Sequence, residues 1–193
     1  IRFRVVAPEA KSVATTFRDS TEFIKGDDGA WIGYSRPLDE GFHYYELVID
    51  GAHVPDPNSK YYFGAMRWGS GIEIPAHDRD FYALKNVPHG QVREIFFHFE
   101  STDSQRRALV YTPPGYDSDP EKRYPVLYLQ HGWGENEYGW SVPGHAGLII
   151  DNLTAEGRSN PFIIVMTYGM TNEIRFGGLR NFDISDFETV LVD

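Results

Sequence analysis

Apolar side chains alternate with basic ones from Ile1 to Val6, the pattern of a half-buried strand. Ala7-Pro8-Glu9-Ala10 then turns the chain into a second strand over Ser12 to Phe17. The same punctuation continues: Asp27-Asp28-Gly29 predicts a turn, Ala30 to Tyr34 a strand, Asp39-Glu40-Gly41 a turn and Phe42 to Ile49 a strand. Asp50-Gly51 is a hairpin signal leading to Val54. Many short strands joined by regular turns predict an all-β sandwich over residues 1–83. Asp56-Pro57-Asn58-Ser59 ends the regular pattern, and the aromatic, glycine-rich stretch Tyr61 to Gly71 is expected to lie across the neighbouring domain.

The pattern changes over residues 84–193. Val87-Pro88-His89-Gly90 restarts it, and Val92 to Phe99 and Arg106 to Tyr111 predict two strands that enter a sheet in antiparallel fashion. Thr112-Pro113-Pro114-Gly115-Tyr116 is a rigid turn. Val126 to Leu129 follows, an apolar run without alternation bounded by Pro125, which predicts a parallel strand covered on both faces. Ala146, Leu148, Ile149, Ile150, Leu153 and Ala155 suit a helix closed by Gly157. Phe162 to Met166 is a second apolar strand, so strand, helix and strand form the parallel crossover of an α/β domain. Ser185-Asp186-Phe187-Glu188 reads as a capping box, with Phe187, Val190 and Leu191 at helical spacing. Two apolar strands with a bare sheet edge call for further polypeptide to cover them.

Composition narrows the partners. The chain carries a net charge of -10 with no Lys/Arg run, which argues against nucleic acid and against an anionic membrane and favours a neutral ligand. No stretch approaches the roughly 18 apolar residues of a membrane span. Ile1-Arg2-Phe3-Arg4 is neither a start methionine nor a signal peptide, so the chain is expected to begin inside a longer gene product. The absence of cysteine excludes disulfides, thiolate metal sites and a Cys nucleophile.

Chemistry is expected at the carboxyl end of the Val126 to Leu129 strand, where open α/β sheets bind ligands. There Gly132 and Gly134 flank a single residue, letting the backbone approach a substrate, and the N–H of Trp133 is the candidate oxyanion donor. Glu135, Asn136 and Glu137 are expected to form a polar loop at the mouth of this site. His77-Asp78-Arg79-Asp80 reads as a solvated loop, not a metal site, because adjacent residues rarely converge on one ion. His145 is expected to be structural. Trp31, Tyr44 and Tyr45 either stack on sugar rings or pack in the core.

Two resemblances add a function. Phe3-Arg4-Val5-Val6-Ala7-Pro8-Glu9-Ala10, Gly41 to Gly51 and Pro55-Asp56-Pro57 resemble the immunoglobulin-like N-terminal module of glycogen-branching enzymes and isoamylases, a type that often binds α-glucans. Val87-Pro88-His89-Gly90, Val110 to Tyr116, Tyr124 to Gly132 and Asp151 to Gly157 together resemble the esterase D-like branch of the α/β-hydrolases, bacterial feruloyl esterases in particular. The implied architecture is an N-terminal all-β immunoglobulin-like sandwich followed by the N-terminal half of an α/β-hydrolase domain. The implied reaction is hydrolysis of hydroxycinnamoyl esters of plant polysaccharide by a serine, histidine and acid, with no cofactor.

In that family the residue after His-Gly supplies one oxyanion donor, which maps onto Trp133, while His131 precedes the nucleophile in the chain and would serve the loop's shape. Trp133 and Trp140 would wall a pocket for a planar phenolic acyl group, although Trp140 would equally serve as a plug of the sheet top. No G-x-S-x-G occurs, and Ser70 in Trp68-Gly69-Ser70-Gly71 lacks the spacing. Nucleophile, acid and histidine are therefore expected beyond Asp193, in the remaining C-terminal half of the hydrolase domain. The resemblance further implies feruloylated polysaccharide or oligosaccharide as partner and a secreted or periplasmic location. A siderophore esterase and a non-catalytic carbohydrate-binding fragment are the other readings.

Overall fold

The computed structural model describes residues 1–100 and 103–169. The chain divides into two compact units, Ile1–Arg79 and a second that begins at Asp80. The predicted capping box at Ser185 lies outside the described residues.

The first unit is built of strands β1 (Arg2–Val6), β2 (Val13–Thr15), β3 (Ile24–Lys25), β4 (Ala30–Tyr34), β5 (Gly41–Tyr45), β6 (Leu47–Ile49), β7 (Ala52–Val54), β8 (Tyr61–Gly64) and β9 (Arg67–Ile74). They pair antiparallel in the orders β1-β4-β3, β2-β6-β7 and β5-β9-β8. Each sheet contributes to one core: Phe3 and Trp31 from the first, Val13 and Leu47 from the second and Tyr45 from the third, with Phe23 between. Trp31 and Tyr45 thus spend their rings on packing, which removes them as sugar platforms. The Trp31 indole N–H donates to the Ala7 carbonyl at 3.0 Å and the Tyr45 hydroxyl to Asp56 at 2.8 Å. Tyr44 lies half-buried, its ring seated over Gly64.

The structure departs from the sequence pattern here in two places. The strand expected over Phe42 to Ile49 breaks at Glu46, because β5 belongs to one sheet and β6 to another. At the break the Glu46 carboxylate is buried and accepts from Arg67 at 2.8 Å and lies 2.9 Å from His53. The stretch Tyr61 to Gly71, which follows the point where the regular strand pattern was read as ending, forms the β8–β9 hairpin. Two of its glycines are ring seats, not loop markers: a Cβ at Gly71 would collide with the Phe42 ring and one at Gly64 with the Tyr44 ring. The Asp50-Gly51 signal holds, with φ of 50° and 84° at the two turn residues and Ile49 paired with Ala52.

The second unit contains β10 (Gln91–Phe99), β11 (Ser104–Thr112), β12 (Val126–Tyr128), helices α1 (Tyr138–Ser141) and α2 (Ala146–Ala155), and β13 (Ile163–Thr167). The sheet runs β10-β11-β13-β12, with β12 parallel to β13 and the other pairs antiparallel. α2 therefore crosses between parallel strands, as the pattern required. Its inner face joins Ala146 and Ile150 to Leu109, Tyr111, Ile164 and Met166, and Gly157 closes it with φ of 68°.

One expectation fails. Val126 to Leu129 was to be covered on both faces, but β12 lies at the margin of the sheet with all three residues exposed, Tyr128 at 75%. The reason is that the core around α2 takes in Leu109, Tyr111, Ile164 and Met166 but none of Val126 to Tyr128; the edge of β12 is bare as well among the described residues, as the need for further polypeptide implied.

Candidate functional site

The carboxyl ends of β12 and β13 lie side by side, and Leu129 extends their ladder by donating to the Val165 carbonyl at 2.8 Å. Beyond it the chain enters the loop that carries Trp133. His131 is buried there and binds with both ring nitrogens. Nδ1 donates to the Gly132 carbonyl at 2.8 Å, and Nε2 accepts the Gly169 N–H at 3.1 Å. Those polarities place the proton on Nδ1. The ring also stacks on Tyr168 with centroids 5.6 Å apart, so His131 staples the exit of β12 to the exit of β13. This is the loop-shaping role expected of it.

Gly132 to Glu135 is a tight turn. Glu135 N–H donates to the Gly132 carbonyl at 3.1 Å, and the Glu135 carboxylate accepts the Gly132 N–H at 3.2 Å. Gly134 takes φ of 74°, a conformation that penalises any side chain. Trp133 sits at the crest, 51% exposed. Trp140 lies on α1, and its indole N–H donates to the Gln130 carbonyl at 2.6 Å, tying α1 back to the end of β12. Both candidate tryptophans therefore belong to one connection, one on the turn and one on the helix behind it.

The polar loop expected at the mouth is largely interior. Asn136 is buried with Oδ1 accepting the Tyr138 N–H at 3.1 Å, and Glu137 is only 2% exposed. Glu137 pairs with Arg107 of β11, which also reaches Glu94 at 3.1 Å and lies under the Tyr138 ring. Burial alone would weaken the Arg107 charge, but the Glu137 carboxylate outweighs it and holds the guanidinium protonated more firmly than usual. A carboxylate so deeply buried needs this partner, which is why the run folds inward.

A second interior node lies on α2. Asp151 is 4% exposed and accepts from the Tyr111 hydroxyl at 2.5 Å, the Gly90 N–H at 3.0 Å and His89 Nδ1 at 2.9 Å. The His89 pKa is raised, chiefly by that bond and then by Nε2 donating to the Lys85 carbonyl. Burial pushes the Tyr111 hydroxyl far up, and the Asp151 carboxylate adds to the shift. Sequence reading missed the Arg107–Glu137 and His89–Asp151 pairs. For Asp151 the available signal was an acid set among the apolar residues of a predicted helix, which must find a donor; Glu137, in a polar run, carried no such signal.

The remaining candidates make contacts within the chain. His145 caps α2 in the left-handed region and its ring stacks on Tyr82 at 5.4 Å. Ser70 is buried, its Oγ accepting the Asp56 N–H at 2.6 Å. In the His77 to Asp80 run, His77 pairs with Glu40 and Asp80 with Lys85. Among the described residues there is no group of three or more His, Asp or Glu side chains able to hold a metal, and no helix is long and apolar enough to cross a membrane.

With that geometry in place, the family model described as Putative esterase matches residues 100–178, a span that includes β11, β12, the Trp133 loop, both helices and β13. The whole chain is 51% identical to an Endo-1,4-beta-xylanase/feruloyl esterase of Xylanibacter ruminicola, of which it spans 28%. Among solved structures, the enterobactin esterase of Shigella flexneri aligns over 98% of this chain and 56% of its own, with a TM-score of 0.65 and 14% identity. A ferulic acid esterase of Anaeromyces mucronatus in complex with ferulic acid aligns over 61% of this chain and 45% of its own, with a TM-score of 0.51 and 24% identity. At those identities the two structures speak for the fold.

Proposed function

We propose that this chain is part of a carboxylic-ester hydrolase that releases hydroxycinnamoyl groups from plant cell-wall polysaccharide. The observation that carries the reading is the His131-Gly132-Trp133-Gly134 loop: a rigid turn at the carboxyl end of a parallel strand, pinned by a buried histidine, within the span matched to esterases. In this reading the Trp133 N–H is one donor to the tetrahedral oxyanion. The nucleophilic serine, the acid and the proton-shuttling histidine are supplied by polypeptide outside these 193 residues, since no G-x-S-x-G occurs in them. The serine attacks the ester carbonyl, the alcohol leaves with a proton from the histidine, and water releases the acid from the acyl-serine. The rings of Trp133 and Trp140 line the acyl pocket. No cofactor is required.

The deciding experiment is ester hydrolysis by the complete polypeptide, with an intact-mass spectrum of the same sample. Release of ferulate from methyl ferulate supports the reading. Cleavage of a catecholate trilactone in its place would make the protein a siderophore esterase, and affinity for xylan without either activity would make it a binding protein.

A further inference from the structure

Arg106 and Arg107 are consecutive in β11, so their side chains leave opposite faces of the sheet. Arg107 takes the Glu137 carboxylate, at the downstream end of the Trp133 loop. Arg106 donates to a main-chain carbonyl, that of Tyr168 just past the end of β13, and its guanidinium lies over the Phe99 ring at 5.7 Å. Burial lowers the pKa of this guanidinium, the mark of a cation drawn out of water. The Tyr168 hydroxyl is itself pushed up, first by burial and then by the Glu137 carboxylate, so the two arginine contacts converge on one region.

Tyr168 is where the histidine of the loop is seated. Its ring stacks on His131, and the next residue, Gly169, donates its N–H to His131 Nε2. His131 Nδ1 donates in turn to the Gly132 carbonyl, which belongs to the same peptide unit as the Trp133 nitrogen. A trans peptide is planar, so whatever holds the Gly132 carbonyl also fixes the direction of the Trp133 N–H on its opposite side. We propose that Arg106 is a positioning residue for the oxyanion donor: by holding the Tyr168 carbonyl it sets the seat of His131, and through His131 it orients the Gly132–Trp133 peptide. That this peptide serves an oxyanion rests on the ester-hydrolase reading; the linkage from Arg106 to it does not.

The test uses the complete polypeptide carrying Arg106→Met, which removes the donor and keeps an unbranched apolar stem. The expected result is a kcat on methyl ferulate lower on the order of tenfold to a hundredfold, with KM within about twofold of wild type. Arg106→Lys, which keeps a cationic donor, should recover part of the loss. Tyr168→Leu removes the stack on His131 and should lower kcat to a similar extent. Joining it to Arg106→Met should then add little, because both act along one path. An unchanged kcat in Arg106→Met, or a double variant whose losses multiply, overturns the proposal. Should Arg106→Met fail to fold, Arg106→Lys and Tyr168→Leu carry the same cycle. A wild-type protein that cleaves no ester sinks the functional reading instead, and nitrogen NMR of the His131 ring then judges the linkage. A proton fixed on Nδ1 in wild type and shared between the ring nitrogens in Arg106→Met supports it; the same tautomer in both overturns it.

Discussion

At the scale of single residues, the loop separates main-chain from side-chain roles. If the Trp133 N–H donates to the oxyanion, Trp133→Ala keeps the donor and removes only the ring. KM for methyl ferulate should then rise by roughly tenfold with little change in kcat, since apolar contact contributes a few kcal/mol at most and the donor alone about 3 kcal/mol. Gly134→Ala makes the opposite change. It leaves the ring and forces a side chain into φ of 74°, costing about 1 kcal/mol and displacing the donor, so steady-state kinetics should show the loss mainly in kcat. His89 supplies a pH dependence. Its folded pKa lies above the ordinary 6.5 because Asp151 and the Lys85 carbonyl hold the imidazolium. Its contribution is therefore whole below about pH 6.5 and is lost as pH rises through the raised value. The Tm gap between wild type and His89→Gln should be widest near about pH 6 and close toward about pH 9.

At the scale of elements, two buried carboxylates fasten helices to the sheet. Asp151 ties α2 to Tyr111 of β11 and to the Gly90 approach of β10, while Glu137 ties the start of α1 to Arg107 of β11. Neither short helix could be held by its own propensity, least of all the single turn of α1. Removing one partner of a buried pair leaves an uncompensated charge, so Arg107→Ala should destabilise by about 2 to 3 kcal/mol in urea unfolding. The lower part of that range applies because the Arg107 side chain keeps 36% of its surface in water. Through α1 the same substitution should loosen Trp140 and the end of β12, since the indole bond to Gln130 hangs on that helix.

At the scale of the whole molecule, the exposed margin of the second unit's sheet is expected to govern association in solution. Val126, Leu127 and Tyr128 present an apolar strand edge with no neighbour beyond it among the described residues. Such an edge is a template for pairing with another chain. The 193-residue polypeptide by itself is expected to self-associate in light scattering despite its net charge of -10, and Tyr128→Lys should reduce that association. Scattering from a monodisperse 22.0 kDa species at the same concentrations would contradict this.

Local patterning was enough for much of this protein. The alternation over Ile1 to Val6, the Asp50-Gly51 hairpin, the helix ending at Gly157 and the parallel strands at Val126 and Ile163 are all consequences of side-chain period and turn chemistry within a few residues. The candidate loop was legible for the same reason: two glycines around one residue at a strand end are a local signal. What lay beyond sequence were facts about neighbours distant in the chain. Only tertiary structure decided that β13 lies beside β11, that Glu46 breaks a strand between two sheets, and that glycines at 64 and 71 seat aromatic rings. It also decided that Glu137 and Asp151 point inward to Arg107 and His89, because a buried charge is set by the donor that meets it across the fold, and no local period encodes that meeting.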